Sequence, residues 1–423
     1  MLWGCLGLVI SARIRYGRRA KWSAVSPKAV NEIPSQVLRD LREQHRLAAP
    51  VYVTRPTMPT LEKYRELLET IWQTRWLTNN GQLHQEFERR LAVQLGVEHV
   101  SLFCNGTIAL LVALQALRIN EGEVITTPFT FPATAHVLYW NRVRPVFCDI
   151  DETHFNLDPE CIERLIGPDT KAIMPVHVFG NPCATDAIQE IAERHGLHVI
   201  YDAAHAFGVR LKGRSLAEAG DMSVLSFHAT KLFTSIEGGA IISKTASVKK
   251  RVDFLKNFGF ANEETVIGPG INGKMNEFQA AFGLLQLDMI EEEIRSRGRL
   301  TRVYREGLAN IPGISFQSEM PDVMHNFAYF TVLVDPERFG MSRDDLYTGL
   351  KEFNVYTRKY FYPLCSHLPC YTALPSSDPQ NLPVAERVAR QILCLPLYGT
   401  LEEDHVRTIC AIIRGLHQDA CPT

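Results

Sequence analysis

The 423-residue chain has no paired cysteine spacing, no internal repeat, no low-complexity tract and no strong charge of one sign. Its ten cysteines are scattered through stretches that read as strands and helices. That distribution excludes a disulfide framework and fits reduced thiols in a cytoplasmic protein. Cys365 and Cys370 stand too loosely among histidines to propose a metal, so none is expected. A formal net charge of −2 with mixed signs removes the basic footprint that a nucleic-acid binder carries. The apolar opening at 1–10 is too short to span a bilayer, and its positive charges follow the apolar run instead of preceding it, unlike a secretory signal. No membrane association is therefore expected of the chain. No acidic residue precedes Glu32, whereas Arg13, Arg15, Arg18, Arg19 and Lys21 cluster. Residues 1–50 are an extension without an assigned role. Transit peptide and membrane-surface contact stand as readings beside the simpler one of a translated upstream region or dispensable tail.

Beyond that extension, short β-branched runs at 123–127, 145–150 and 172–179 alternate with helical patterns such as 186–195. This rhythm argues for parallel βαβ units. The length exceeds one ordinary core, which predicts a large domain over 51–300 and a smaller one over 301–423. A charged helical stretch at 288–305 leads into the second. There an apolar run at 327–334 and helices near 343–353, 383–393 and 401–416 describe a compact α/β unit.

The chemistry gathers around Lys231, in Ser226-Phe-His-Ala-Thr-Lys231, which follows Asp202-Ala-Ala-His-Ala-Phe-Gly208 and precedes Glu237-Gly-Gly239. Asp202 closes the apolar run 197–202, and a parallel strand would present its carboxylate at the sheet's C-terminal edge, where open α/β sheets place ligands. A lysine desolvated in such a site loses proton affinity and becomes a nucleophile near neutral pH. A carboxylate for a ring nitrogen and an amine for an aldehyde are what pyridoxal phosphate requires. Cys104-Asn-Gly-Thr107 lies between a short strand at 100–103 and a helical run at 108–117, where glycine admits close backbone approach and helix N–H groups face an anion. Ser226 adds a hydroxyl, Phe131 offers an aromatic face, and His205 is placed to reach the ring's oxygen side. Singly, each has a blander reading: a solvated lysine, a capping Asp, an Asn-Gly turn, core packing at Phe131, a satisfied histidine at 205. In order and in one αβ register, they point to one cofactor.

At these residues, together with Pro128-Phe-Thr-Phe-Pro-Ala-Thr134, Pro175-Val-His-Val-Phe-Gly180 and Gly270-Ile-Asn-Gly-Lys-Met-Asn-Glu-Phe-Gln-Ala-Ala281, the chain resembles the DegT/StrS nucleotide-sugar aminotransferases. These are pyridoxal phosphate-dependent enzymes, a branch of the fold-type I transferases, and the likeness runs from about 53 to about 416. It implies an α/β fold with a large, mostly parallel sheet and a smaller C-terminal α/β domain. It implies that Lys231 bonds the cofactor, Asp202 pairs with its ring nitrogen, and Gly106, Thr107 and Ser226 take its phosphate. Phe131, His205 and His228 complete that set within the subunit. The position of Asn272 reaches the phosphate of a neighbouring subunit's cofactor, so the resemblance implies a homodimer with shared sites. His205 stands where many members carry glutamine, and Lys274 where arginine is more frequent. Lysine at 231, where related sugar dehydratases carry histidine, places the chain on the transaminase side.

Val53-Thr-Arg-Pro-Thr-Met-Pro59, Arg75-Trp-Leu-Thr-Asn-Asn-Gly81, the stretch from Gly270 through Gln279 and Arg358-Lys-Tyr-Phe-Tyr-Pro363 are most similar to members that aminate C4 of dTDP-4-keto-6-deoxy-D-glucose, and the family resemblance implies L-glutamate as donor. Thr78, Asn79, Asn80, Lys359 and Tyr360 are the substrate contacts this implies, against a surface turn at 79–81 and a packed strand at 360. Two alternatives stand: amination of a 3-keto sugar or cyclitol ketone, and a pyridoxal phosphate-binding regulator without turnover.

Overall fold

The apolar runs between residues 100 and 243 become the seven strands of one sheet in the computed structural model, which describes residues 35–420. The apolar opening at 1–10 and the basic cluster at 13–21 lie outside the described residues. Across the sheet the strands are ordered Val100–Phe103, Gly239–Ser243, Met222–Ser226, His198–Asp202, Thr170–Met174, Glu123–Thr126 and Arg144–Phe147. Only Gly239–Ser243 runs against its neighbours; the other pairings are parallel. The central strands are buried along almost their whole length, because helices cover both faces and water reaches neither.

One face is covered by helix Gly106–Ala116, apolar on nearly every side and packed against helices Pro132–Trp140 and Ala246–Leu255. A helix hydrophobic all round has no face left for water and belongs in the interior. The other face carries helices Gln82–Leu95 and Glu277–Leu308. They approach closely because Gly283 has no side chain: a Cβ there would lie 2.6 Å from the ring of Phe87, a fully buried residue. Asn276 starts helix Glu277–Leu308 with a capping box, its side chain accepting from Gln279 N while Gln279 Oε1 accepts from Asn276 N, which satisfies two otherwise orphaned donors.

Strands Ile314–Ser315, Phe330–Val334 and Ile392–Leu395 form an antiparallel sheet under helices Arg343–Lys351 and Glu403–Ala420. Two segments depart from the sequence reading. The strand expected over 172–179 stops at Met174, since Pro175 offers no N–H to continue a ladder and Phe179 turns into the left-handed region at φ +58°. The helix expected over 383–393 stops at Gln391, and β-branched Ile392 opens a strand. The boundary expected at 300 falls inside Glu277–Leu308, whose continuous length packs on both helix Gln82–Leu95 and helix Glu403–Ala420. Val51–Tyr52 pairs in parallel with Val355–Tyr356, so the chain enters beside the C-terminal unit. Helix Ser35–His45 also docks there, Leu41 filling the space that Gly415 leaves open, with Arg42 paired to Glu352 at 2.7 Å.

Candidate active site

The parallel strands end at one edge of the sheet, and there the chemically marked residues meet around a cavity of about 510 Å³. Gly239 lies level with both Phe103 and Ser226 in the ladder. A Cβ on it would come within 2.8 Å of the Asn105 backbone, and one on Gly106 within 3.0 Å of Ser226 Cβ. Two missing side chains thus let the turn at 104–107 settle onto the strand ends. Asn105 caps helix Gly106–Ala116 by accepting from Ile108 N at 2.8 Å. The helix's first N–H groups, which have no intrahelical acceptor, open toward the same cavity floor as Thr107 and Ser226. Gln279 Nε2 ties this floor together by donating to Cys104 O and Glu237 O.

Asp202 sits at the strand's end, 6% exposed. Its Oδ2 accepts from Thr134 Oγ1 at 2.8 Å and its Oδ1 from Ala204 N at 3.1 Å. Because Thr134 donates to the carboxylate, Thr130 Oγ1, 2.8 Å from Thr134, is the donor in that contact. Burial raises the Asp202 carboxyl above its ordinary range, against the opposing pull of these hydrogen bonds and of Lys231. No cation lies within salt-bridge distance of it among the described residues. A buried carboxylate that lacks a charged partner is a seat for a cationic ligand atom. Across the cavity, burial lowers Lys231 to about 8, with Asp202 pulling the other way, so a substantial part of its amine is neutral near physiological pH.

His205 is buried, and desolvation together with the positive charge of Lys231 holds it well below its ordinary value, hence neutral. Its Nδ1 accepts from Phe179 N at 3.2 Å, which puts the ring proton on Nε2. Phe179 and Phe361 lie parallel to its ring, at centroid distances of 6.1 and 5.9 Å. Phe131 remains 56% exposed at the cavity rim, an open aromatic face beside a polar floor. His228 and Glu237 line the same wall, 3.5 Å apart.

Gly106, Thr107, Phe131, Asp202, His205, Ser226, His228, Lys231 and Tyr360 are therefore brought together. Five other residues singled out in the sequence are not. Asn272 is exposed and bridges to Asn257. Thr78, Asn79 and Asn80 are exposed, the asparagines with φ of +63° and +59°, and Asn80 borders a different cavity. Lys359 turns away from Tyr360 to pair with Asp344 at 2.8 Å. Sequence reading missed Thr130, Thr134, Tyr329 and Phe361. Thr134 carries a local signal, one helical turn beyond Phe131, but its acceptor lies 68 residues on.

Thr134→Val should destabilise the ligand-free protein by about 2 kcal/mol at neutral pH, the worth of a hydrogen bond to a buried charge. The loss should shrink at acid pH, where Asp202 is protonated, and paired denaturant titrations at the two pH values measure it.

The cavity fits pyridoxal phosphate on the chemistry of its lining: a buried carboxylate with no cation in salt-bridge contact, a glycine-walled helix terminus and an amine of reduced basicity. Among the described residues, no group of three or more His, Cys, Asp or Glu is arranged to hold a metal, and no helix is long and apolar enough to cross a membrane.

Residues 60–414 match the model of the DegT/DnrJ/EryC1/StrS aminotransferase family. The chain is 49% identical over 366 residues to a dTDP-4-amino-4,6-dideoxy-D-glucose transaminase of Escherichia coli, covering 86% of this chain and 98% of that protein. A transaminase of the same description from Shigella dysenteriae is 47% identical over 367 residues, or 87% and 99% of the two. Among solved structures, DesI in the presence of its TDP-sugar product is similar with a TM-score of 0.83 and 37% identity, covering 88% of this chain and 93% of that one.

Proposed function

The chain belongs to the DegT/DnrJ/EryC1/StrS aminotransferase family, and on that premise we propose that it moves an amino group from L-glutamate to C4 of dTDP-4-keto-6-deoxy-D-glucose. The product is dTDP-4-amino-4,6-dideoxy-D-glucose, with pyridoxal phosphate as the cofactor. One observation carries the reading: Lys231 and Asp202, 29 positions apart in sequence, face one cavity whose floor is a helix N-terminus. The substrate follows from the two relatives of that description, which match nearly end to end.

Bound in this cavity, pyridoxal phosphate supplies an electron sink that acidifies the donor's α-carbon. Gly106, Thr107 and Ser226 would hold its phosphate, Asp202 its ring nitrogen, Lys231 its aldehyde, and Phe131 its ring face. His228 would stand beside the phosphate floor. His205, neutral and protonated on Nε2, offers a donor without adding positive charge. Lys231 Nζ takes the proton from the donor's α-carbon in one half-reaction and delivers one to the sugar carbon in the other, a task suited to an amine titrating near 8. Tyr360, on the cavity wall, is placed to touch the sugar. Thr78, Asn79, Asn80 and Lys359 belong to this reading only where a second subunit or a moved loop brings them near.

Asn272 supplies the reason for a second copy. It is exposed on a segment flanked by exposed Phe258, Ile267 and Ile271, an apolar surface of the kind that subunit contacts cover. In the homodimer proposed here, Asn272 would complete the phosphate site of the other subunit. Lys231→Ala and Asn272→Asp should each be inactive alone. Mixed, exchanged dimers should recover about a quarter of wild-type activity, because half of the dimers are mixed and each has one intact site. Recovery of no activity, with dimer exchange verified by mass spectrometry, would place Asn272 outside the partner's site. Product analysis with a panel of nucleotide-linked keto sugars tests the regiochemistry: amination at a carbon other than C4 overturns the substrate assignment.

A further inference from the structure

A second, larger cavity of about 820 Å³ lies between the C-terminal half of helix Glu277–Leu308 and the segment 316–331. It shares one lining residue, Tyr329, with the catalytic cavity. Arg295, Arg299, Arg302 and Arg305 border it, and their spacing of four, three and three residues sets them along one helix face. The acids nearby answer only part of this charge. Glu292 pairs with Arg295 at 3.0 Å and Arg299 at 3.3 Å, Glu291 stands 3.8 Å from Arg295, and Glu319, 79% exposed, stands 3.5 Å from Arg305, three acids against four arginines. Arg302 has no acidic partner among the described residues. His325, with Nδ1 accepting from Phe327 N and Nε2 facing Asn181 at 3.1 Å, is held neutral at about 4 by burial and by Arg305.

One polar atom on this wall is buried with neither a hydrogen-bond nor an ion-pair partner: Thr301 Oγ1, on a residue 8% exposed. Such a group costs stability unless a ligand or water completes it. Aromatic faces stand beside the cations. Arg305 lies 5.6 Å from the ring centroid of Phe316. Phe327 lies against the helix where Gly298 has no side chain, since a Cβ there would meet its ring at 2.9 Å.

We propose that this cavity binds a nucleoside diphosphate, distinct from any nucleotide carried by the sugar substrate. Guanidinium forks match phosphate oxygens, Thr301 Oγ1 supplies a further donor, and the phenylalanine rings offer a stacking surface for a base. The volume suits a ligand of that size. Tyr329 connects the cavity to the reaction. Its ring meets His205 edge-on at 4.9 Å and Tyr360 at 5.9 Å, so a ligand pressing on Tyr329 bears on two walls of the catalytic cavity. The proposal does not depend on which sugar is aminated.

The test is photolabelling of the holoenzyme with 8-azido-ADP, followed by peptide mapping. Label is expected within 295–331, falling at least about tenfold in Arg302→Glu, a charge reversal at an exposed position that removes one phosphate contact. Transfer activity without added ADP should be unchanged in that variant. Thr301→Val, which deletes the unpartnered hydroxyl at nearly constant volume, should weaken labelling while leaving unfolding stability equal or higher. Label absent from 295–331, or undiminished in both variants, overturns the proposal. A Thr301→Val protein of lower stability with full labelling would show that the hydroxyl serves the fold alone, and would also overturn it.

Discussion

Lys231→Ala is expected to lower amino transfer by at least about 10⁴-fold, because one side chain is asked to serve both as covalent anchor and as proton carrier. The visible absorption band of lysine-linked cofactor should disappear with it. A sharper result concerns the rate at which wild-type apoprotein captures added pyridoxal phosphate. Only the neutral amine attacks an aldehyde, and burial has brought Lys231 to about 8. The rate should therefore climb about tenfold per pH unit below that point and level off above it. A surface lysine would go on climbing to about 10.4. A stopped-flow pH series measures the break, and a profile still rising at pH 10 would mean that the amine is solvated in solution. Exogenous methylamine offers a further check, since it replaces the proton carrier but not the anchor: partial rescue of Lys231→Ala separates the two roles.

Much of this site was legible in the sequence because parallel strands with short βα connections deliver their C-terminal ends to one edge. Asp202, Ser226 and the turn at 104–107 each follow such a strand, so reading strand ends was enough to bring them together. The residues that escaped are those whose role is set by a distant partner. Thr134 stands one helical turn past Phe131, but its role becomes visible only with Asp202 2.8 Å away. Tyr329 and Phe361 belong to the C-terminal unit, and nothing local marks them as walls of a cavity built by the large sheet. Lys359 and Tyr360 show the limit from the other side: neighbours in sequence point to opposite sides, one into an ion pair with Asp344 and one into the cavity. Periodicity failed in two places for backbone reasons. Pro175 ended a strand that looked longer, and Ile392 opened a strand in what read as the last turn of a helix. The second cavity was invisible for a related reason. Its arginines read as an ordinary charged helix face, and only the packing of 316–331 beside that face makes them the border of a cavity.

Asp202→Asn should separate stability from function in opposite directions. In the ligand-free protein the carboxyl is raised by burial, so folding holds its proton more tightly than the unfolded chain does. The stability this residue contributes is fully present below the ordinary carboxylate pKa of about 3.9, and it is lost as pH rises through the elevated folded value. At neutral pH the wild-type apoprotein carries that loss. Asparagine keeps the shape and the acceptor for Ala204 N, and its amide can donate to Thr134 once the hydroxyl pair reverses. The variant's apoprotein should unfold at an equal or higher denaturant concentration at pH 7, and it should lose the acid-side stability gain that the wild type shows. Cofactor-dependent function should move the other way. Removing one member of a buried charge pair costs about 3–5 kcal/mol, which corresponds to a fall of about 10²–10⁴ in rate. Urea titrations of apoprotein at pH 5 and pH 7, set beside turnover of the holoenzyme, read both sides. An asparagine variant that is less stable at pH 7 and retains full turnover would make Asp202 a structural carboxylate, and the cavity would then need another seat for a cationic ring.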